Sequence, residues 1–285
     1  MIHHEATLSA PNTNTDATTI YYQTWRPEEQ PRAAIIIVHG VAEHSGRYER
    51  LAKYIVSRGY AVVALDHPGH GRSTGARGHI DRFSDYLECL DSVHTKIAEE
   101  MTGVPQILLG HSMGGLISTL YLVQNQEAFV GCILSGPAIK TDIEPGKIQM
   151  ALIRTLSRIF PKAGVLQLDA SGVSRDANEV ARYINDPLVY TGKLSARLVL
   201  ELFNSMALIQ SQAEKITLPI LILHGGADAM ASPEGSKLLA ERVRSQNKRL
   251  EIYPGLYHEI FNEPEREQVF DDISGWCDEL LGFER

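Results

Sequence analysis

The 285-residue sequence is poor in cysteine, in long apolar runs and in positive charge, and each shortage excludes a class of protein. Its three cysteines, Cys89, Cys132 and Cys277, form no CxxC pair, so neither a disulfide scaffold nor a structural zinc site is expected. The apolar run at residues 33–38 is far shorter than the roughly 20 residues that cross a bilayer. Residues 1–19 are polar and lack the apolar segment of a secretory signal. We therefore expect a soluble, cytoplasmic protein.

Acidic residues exceed basic ones, with 35 Asp and Glu against 27 Lys and Arg and a formal net charge of -8. Nucleic-acid binders usually carry a basic excess, so no nucleic-acid partner is expected. His258 and Glu259 begin an H-E-x-x-H zinc pattern, but its second histidine position holds Asn262. The glycines match neither a dinucleotide fingerprint nor a P-loop. The sequence therefore predicts no metal and no cofactor.

Short β-rich segments alternate with longer helical patterns along most of the chain. Several of the β-rich segments are apolar throughout, which is typical of strands covered on both faces. The alternation predicts an α/β fold with a mostly parallel central sheet flanked by helices. The predicted strands are residues 18–25, 33–39, 61–65, 106–110, 131–135, 219–224 and 250–253, and the predicted helices are residues 48–58, 83–100, 112–125, 233–245 and 265–281.

Residues 139–215 break this alternation, because they contain helical patterns but no convincing central strand. An insertion of this size between two sheet strands predicts a helical cap laid across the sheet. The expected organisation is an α/β core at residues 1–138, a cap at 139–215 and the rest of the core at 216–285. The alternative is a set of packing helices that have no role in the site.

Two segments match the G-x-S-x-G pattern, in which a serine stands on a sharp turn between a strand and a helix. They are GHSMG at residues 110–114 and GRSTG at residues 71–75. Ser112 follows an apolar run and opens a helical pattern, whereas Ser73 follows a polar loop that contains glycine and proline. Context therefore favours Ser112 as the nucleophile and Ser73 as a turn residue.

A serine nucleophile needs a base that removes its proton and an acid that orients the base. In this architecture the partners follow in the order Ser, acid, His. The run LILHGGAD places Asp228 beyond a buried strand, and EIYPGLYH places His258 after the next strand. All three side chains are thus expected at one edge of the sheet, although a turn-forming role for Asp228 stays open.

The other ten histidines have simpler interpretations. His3 and His4 are expected in a mobile terminus, and His94, within a helical pattern, is expected to be a surface or packing residue. Six others flank glycine turns and are expected to hydrogen-bond in loops; they are His39, His67, His70, His79, His111 and His224. His44 is considered below with the segment that contains it.

An acyl-transfer site also needs N–H donors for the tetrahedral oxyanion. The amide after the nucleophile, at Met113, begins a helix and can donate. A second donor is expected in the loop after the strand at residues 33–39, where the Val41 amide is the best candidate.

Three further segments make the sequence resemble a known family. They are HGVAEHSGRY at residues 39–48, GHGRS at 69–73 and GHSMGG at 110–115. Together with the segments around Asp228 and His258, they are similar to those of the monoacylglycerol lipases and related lysophospholipases of the α/β-hydrolase superfamily. The likeness extends over about residues 20–281, and YINDPL at 183–188 resembles a cap segment of that group.

The resemblance implies an α/β-hydrolase fold and a triad of Ser112, Asp228 and His258, with the amides of Val41 and Met113 as the oxyanion hole. It also implies hydrolysis of monoacylglycerol to fatty acid and glycerol through an acyl-serine, without a cofactor.

The resemblance further makes Glu43 and His44 candidates for supporting the oxyanion loop, with ordinary loop hydrogen bonds as the alternative. Arg77, Asn185 and Glu144 are candidates for contacting the glycerol hydroxyls. Neither the acyl preference nor the oligomeric state follows from the sequence.

Substrate is less constrained than mechanism, because the same catalytic parts serve a carboxylesterase, a lysophospholipase or a peptidase. A noncatalytic ligand-binding protein on the same fold is a more distant alternative.

Residues 140–165 carry five basic and two acidic residues around apolar positions at helical spacing. This pattern fits a helix that rests on an anionic lipid surface, and it equally fits a helix packed on its own core.

Overall fold

Parallel strands form the middle of the structure, a computed structural model that describes residues 1–10, 18–142 and 145–283. The strands are β1 (Ile2–Ala10), β2 (Thr18–Arg26), β3 (Ala34–Val38), β4 (Ala61–Leu65), β5 (Gln106–His111), β6 (Gly131–Ser135), β7 (Gly164–Leu166), β8 (Leu194–Ser195), β9 (Ile220–Gly225) and β10 (Lys248–Tyr253). The main sheet has the order β1-β2-β4-β3-β5-β6-β9-β10, and β7 pairs with β8 separately. β3, β4, β5, β6, β9 and β10 are mutually parallel, while β2 runs antiparallel to both of its neighbours.

Alternate residues of the inner strands face two different cores. Ile36 of β3 and Leu108 of β5 belong to one buried cluster, whereas Ile35 and Ile107 belong to the other. A strand covered on both faces exposes no side chains to solvent, so neither face favours polar residues. This explains the continuous apolar runs in the sequence. The predicted α/β sheet is present, and the predicted bounds of these strands differ from the observed ones by two residues or fewer.

Helices cover both faces of the sheet. They are α1 (Glu49–Ser57), α2 (Ser84–Glu100), α3 (Met113–Asn125), α4 (Lys147–Ile159), α5 (Ala177–Asn185), α6 (Ala196–Gln212), α7 (Pro233–Arg242) and α8 (Arg266–Leu281). Short 3₁₀ helices occur at Ser45–Tyr48, Gln126–Ala128, Ala170–Gly172, Ala213–Lys215 and Ile260–Asn262. Helices α2, α3, α6 and α7 contribute to the first buried cluster, and α1 and α8 contribute to the second. None of the helices in the described part of the chain has the length and apolar character needed to cross a bilayer.

The amino-terminal segment is more ordered than the sequence indicated. Residues of β1 pair antiparallel with β2 from Ile2, opposite Arg26, to Ala10, opposite Thr18. The ring of His3 stacks on Trp25, with centroids 5.0 Å apart. The expectation of a mobile terminus at His3 and His4 is therefore wrong for these residues. Polar side chains misled the sequence argument, because an edge strand exposes one face and needs little apolar character.

The segment between β6 and β9 lies against the edge where the parallel strands end. Its helix α6 buries Leu198 and Ile209 in the first core. Backbone hydrogen bonds tie the segment to loops that follow the strands, including Tyr190 N to Ala42 O at 2.8 Å and Ser195 N to Gly78 O at 2.9 Å. The described residues of the 139–215 segment therefore sit above that edge of the sheet, and the treatment of residues 139–215 as a separate domain stays a prediction.

Candidate active site

Ser112 stands at the sharp turn between β5 and α3. Its backbone has φ 54° and ψ -120°, a combination that side-chain-bearing residues rarely adopt. The turn closes because its neighbours lack side chains: a Cβ on Gly114 would lie 1.9 Å from Val38 O, and one on Gly110 would lie 2.5 Å from Gly114 O. This is the strand–turn–helix geometry that presents a serine hydroxyl at a sheet edge.

Ser73, in the second G-x-S-x-G segment, has a different environment. Its hydroxyl donates to Asp66 O at 2.6 Å and accepts from Tyr21 N at 2.8 Å. No helix opens there, since α2 begins only at Ser84. Both contacts are with backbone, as expected of a residue that closes a turn.

Asp228 and His258 meet at the ends of two neighbouring strands. His258 Nδ1 lies 2.7 Å from Asp228 Oδ2, and both side chains are almost completely buried. The other carboxylate oxygen accepts from Met230 N at 2.8 Å and from Ala231 N at 3.0 Å. The two side chains that the sequence predicts to meet are therefore in contact, with His258 Nε2 directed away from the carboxylate, while their catalytic roles stay a prediction.

The elbow adjoins this pair through the residues beside Ser112. The ring of His111 lies 4.8 Å from the ring of His258, centroid to centroid. Ser112 N donates to Ser135 O at 3.0 Å. The next residue, Gly136, lies so near the His258–Asp228 pair that a Cβ on it would be 3.3 Å from His258 Nδ1. Within the described residues no hydrogen bond joins Ser112 to His258. Such bonds often tighten only when substrate is bound.

Burial and charge act in opposite directions on the pair. Burial alone would raise the pKa of Asp228, but the facing His258 and its several N–H donors hold that pKa well below its usual range. Burial alone would lower the pKa of His258, but the charge and hydrogen bond of Asp228 raise that pKa above its ordinary value. The pair therefore favours an ionised carboxylate beside a histidine of increased basicity.

The loop after β3, residues 39–44, lies beside the elbow, and we call it the oxyanion loop because one of the predicted oxyanion donors, Val41, is in it. A Cβ on Gly40 would lie 3.1 Å from Ser112 Cβ, so the loop abuts the elbow. The amides of Val41 and Met113 donate to no other group in the described structure. Ala42, the next residue, has φ 70°, a left-handed conformation that strains any residue other than glycine. The two amides are thus free to donate to a ligand.

The fold and this arrangement can be compared with known proteins. A family model described as "Serine aminopeptidase, S33" matches residues 29–265, which is most of the chain. The chain belongs to this family, Hydrolase_4. Its predicted α/β-hydrolase fold and its predicted enzyme class, a serine hydrolase, are confirmed by the match and by the relatives.

Several relatives of this Hydrolase_4 chain have names that state an activity, and three of them are described here. The monoacylglycerol lipase of Mycolicibacterium smegmatis is 39% identical, over 90% of this chain and 92% of the relative. A phospholipase of Bacillus subtilis is 35% identical, over 90% of this chain and 99% of the relative. The crystal structure of Paleococcus ferrophilus monoacylglycerol lipase is 34% identical, covers 92% of this chain and 98% of its own, and has a TM-score of 0.82. The predicted resemblance to monoacylglycerol lipases is confirmed.

Glu43 braces the oxyanion loop of this Hydrolase_4 chain. Its Oε1 accepts from Gly40 N at 2.7 Å and from the Tyr48 hydroxyl at 2.8 Å, while its Oε2 lies 3.0 Å from Arg47 Nη1. Arg47 also makes a two-pronged ion pair with Glu259, at 2.5 and 2.6 Å. These buried charges are paired, and they connect the oxyanion loop to the residue that follows His258.

His39 and His44 fix the two ends of the same loop. His39 Nε2 accepts from His67 N at 2.9 Å, so its Nδ1 is the nitrogen that donates to Gly40 O at 2.6 Å. His44 Nδ1 accepts from Gly46 N, and its Nε2 lies 2.9 Å from Asp186 Oδ2 in the inserted segment. His44 therefore contacts the insertion in addition to its own loop.

His224 is the residue whose position the sequence argument missed. It was expected to make an ordinary loop hydrogen bond, but its Nε2 lies 3.0 Å from Asp228 Oδ2. In the sequence, His224 stands four residues before Asp228, near the end of the buried strand that precedes this aspartate. This spacing could have indicated that the two side chains are close.

The candidates for glycerol contacts gain no support. Arg77 and Asn185 are exposed and donate to backbone carbonyls, of Gly71 and Ala181 respectively. Glu144 lies outside the described residues.

Proposed function

We propose that this chain hydrolyses monoacylglycerols to fatty acid and glycerol through an acyl-serine on Ser112. The observation that carries the reaction is the His258–Asp228 pair, joined at 2.7 Å beside the strained serine elbow. The substrate class rests on the relatives of Mycolicibacterium smegmatis and Paleococcus ferrophilus, which are named monoacylglycerol lipases.

In the acylation step, His258 Nε2 takes the Ser112 proton as Oγ attacks the ester carbonyl. The carbonyl oxygen becomes an oxyanion that accepts from the Val41 and Met113 amides. Asp228 stabilises the resulting imidazolium without taking its proton. Collapse of the tetrahedral intermediate then breaks the bond to the glycerol oxygen, which leaves with the proton from His258.

Water completes the cycle in the deacylation step. His258 takes one proton from a water molecule as its oxygen attacks the acyl-serine carbonyl, and the same two amides hold the second oxyanion. The bond to Ser112 Oγ breaks and the serine regains its proton from His258. The products are glycerol, a fatty acid and unmodified enzyme, so no other reactant is required.

A panel of substrates tests this proposal against the alternatives that share its catalytic parts. We expect long-chain monoacylglycerols to give the highest kcat/KM among monoacylglycerols, lysophospholipids, short nitrophenyl esters and aminoacyl amides. A fluorophosphonate probe should label wild type and not Ser112→Ala. Preferred turnover of lysophospholipid or aminoacyl amide would replace the proposed substrate class, and failure to label wild type would favour a noncatalytic binding protein.

We also propose that helix α4 contacts lipid surfaces transiently. Its inward side packs on α6, but Ile148 is 87% exposed, and Leu152, Ile159 and Phe160 are also largely exposed. Ile148, Leu152 and Ile159 recur at helical spacing and form one apolar stripe, so packing on the protein's own core does not account for them. Lys147, Arg154 and Arg158 flank this stripe with positive charge.

Flotation with anionic vesicles at low salt tests the lipid contact. We expect wild type to float with the vesicles and Leu152→Glu to remain largely in the bottom fraction. The matched control is Ile2→Glu, which places the same charge at another exposed apolar position, on the edge strand β1. Equal flotation of all three proteins, or none by wild type, would overturn this contact.

We propose a cytoplasmic location because the cysteines are not paired in disulfides. Cys89, Cys132 and Cys277 are all free and buried. Unpaired cysteines are usual in reducing compartments, where disulfides rarely form.

A further inference from the structure

His224 is a second histidine on the carboxylate of Asp228. Its ring is completely buried between the end of β9, the loop that carries Asp228 and the first turns of α7. Its Nε2 lies 3.0 Å from both Asp228 Oδ2 and Ala231 O. Its Nδ1 lies 2.7 Å from the hydroxyl of Ser236. Both ring nitrogens therefore have partners.

These partners determine which nitrogen carries the proton. A carboxylate oxygen and a carbonyl oxygen can only accept, so Nε2 of His224 must be the donor. The Ser236 hydroxyl can rotate to donate to Nδ1, which makes a neutral ring fully satisfied. Asp228 and Ala231 therefore fix the proton on Nε2, and the Ser236 hydroxyl, which can donate or accept, completes the contacts of the ring.

The carboxylate of Asp228 is held from every side. Oδ2 accepts from His258 Nδ1 at 2.7 Å and lies 3.0 Å from His224 Nε2, while Oδ1 accepts from two backbone amides. Each oxygen thus has two N–H groups within hydrogen-bonding distance, which is as many as the lone pairs of an ionised carboxylate can accept. The N–H of His224 is the only side-chain donor besides His258 on this carboxylate in the described structure, so it helps to set the direction in which Oδ2 meets His258.

We propose that His224 is a positioning residue of the triad: its Nε2–H holds Asp228 Oδ2 in line with His258, and Ser236 holds the opposite nitrogen of the ring. This inference rests on the proposed function. His224 acts through Asp228, since its own contacts are all internal to the protein.

Loss of this donor has two separable consequences. A less firmly held carboxylate orients His258 poorly at every pH, which lowers kcat without changing substrate binding. An Oδ2 that no longer shares its charge with His224 is also a stronger partner for protonated His258, so the acid limb of the activity profile moves to higher pH. The charged and titratable groups that face His258 stay constant in this comparison; they are Asp228, Glu259, Glu43, His111 and Arg47.

A pair of substitutions separates the donor from the bulk of the ring. His224→Leu removes the N–H, whereas His224→Gln retains an N–H near the position of Nε2 and cannot ionise. We expect His224→Leu to lower kcat about 10- to 100-fold with KM unchanged and to shift the acid limb upward, as for loss of a hydrogen bond to a charged group. We expect His224→Gln to recover most of both effects.

Two further variants keep the test decisive if His224→Leu folds poorly. Ser236→Ala leaves the ring in place but removes the partner of Nδ1, so the ring is held less firmly and kcat and the acid limb should lie between those of wild type and His224→Leu. Ile222→Ala weakens the buried core on the same face of β9 and should lower Tm with kcat within about twofold of wild type. A His224→Leu kcat within about twofold of wild type would overturn the proposal. So would a His224→Gln enzyme as impaired as His224→Leu, or a wild-type profile for Ser236→Ala.

The same experiment shows which proposal has failed. If wild type does not turn over monoacylglycerol, or if Asp228→Asn is fully active, the proposed function is wrong. If wild type is active and Asp228→Asn is inactive while the His224 variants behave as wild type, only the role of His224 is wrong.

Discussion

Two regions of this molecule share the pattern G-x-S-x-G and use it differently. At residues 110–114 the serine follows a buried parallel strand and opens a helix, with φ 54° and its hydroxyl outside the backbone hydrogen bonds of the turn. At residues 71–75 the glycines have positive φ instead, and the Ser73 hydroxyl donates to Asp66 O and accepts from Tyr21 N. In the Ser112 turn the serine itself has the strained positive φ, whereas in the Ser73 turn glycines take the positive φ values and the serine does not.

The difference shows what a short motif can and cannot specify. Glycine at both ends permits a tight turn, but the neighbouring elements decide where the serine points. The Ser112 turn is closed by strand β6, through Ser135 O and Ala138 N. The Ser73 turn is instead closed by β2, through Thr19 and Tyr21. Of these two turns, only the first lies beside the hydrogen-bonded pair of His258 and Asp228.

Alanine at each serine should produce the largest contrast between the two regions. Ser112→Ala removes the proposed nucleophile, so kcat should fall by about four orders of magnitude or more, with Tm close to that of wild type. Steady-state hydrolysis and thermal unfolding of Ser112→Ala, Ser73→Ala and wild type, measured side by side, check this. Comparable activity in the two variants would end the distinction between the motifs.

The oxyanion loop belongs to the Ser112 region alone, and substitution of Glu43 tests that assignment. Glu43→Gln places an amide nitrogen against Arg47 or against Gly40 N, so the loop loses one of its braces. We expect kcat/KM to fall by about tenfold, which is less than removal of an oxyanion donor causes. Glu49→Gln is the matched control, because Glu49 is exposed and pairs only with Lys53. Equal effects of the two would contradict a bracing role.

The pH dependence of activity tests the Ser112 region, which lies beside the His258–Asp228 pair. The base must be neutral to accept the Ser112 proton, and the pKa of His258 is raised above its ordinary value by Asp228. Activity should therefore be complete above that pKa and be lost as pH falls through it, at a pH above the ordinary histidine value of about 6.5. A profile of kcat/KM against pH measures this limb. A plateau that extends below that value would show that Asp228 does not raise the basicity of His258.

Ser73→Ala should have the smallest effect on turnover and a measurable one on stability. Its loss leaves Tyr21 N and Asp66 O buried without a partner, which costs about 1–3 kcal/mol. Activity at 25 °C should stay within about twofold of wild type. Chemical denaturation gives the free energy of unfolding, and an unchanged value would remove the structural role assigned to this serine.

Sequence reasoning succeeded best where one physical requirement dominated a local segment. Strands such as β3 must be apolar on both faces, and their pattern identified them within two residues. The order of elements then brought Asp228 and His258 to one edge, because parallel strands end together. It failed for β1, whose polar residues pair as an edge strand, and for His224, whose partner Ser236 becomes a neighbour only when α7 packs on β9.

The chain's apolar pattern and its glycine-bounded turns alone determined the α/β class, the order of strands and helices, and the small set of residues that could react. Local pattern suffices there, since each of those features depends on residues a few positions apart. Contacts between distant segments decided the rest: the 2.7 Å approach of His258 to Asp228, the second histidine on that carboxylate, and the face of α4 left without a cover. These depend on how completed elements pack against one another, which no single stretch of sequence encodes.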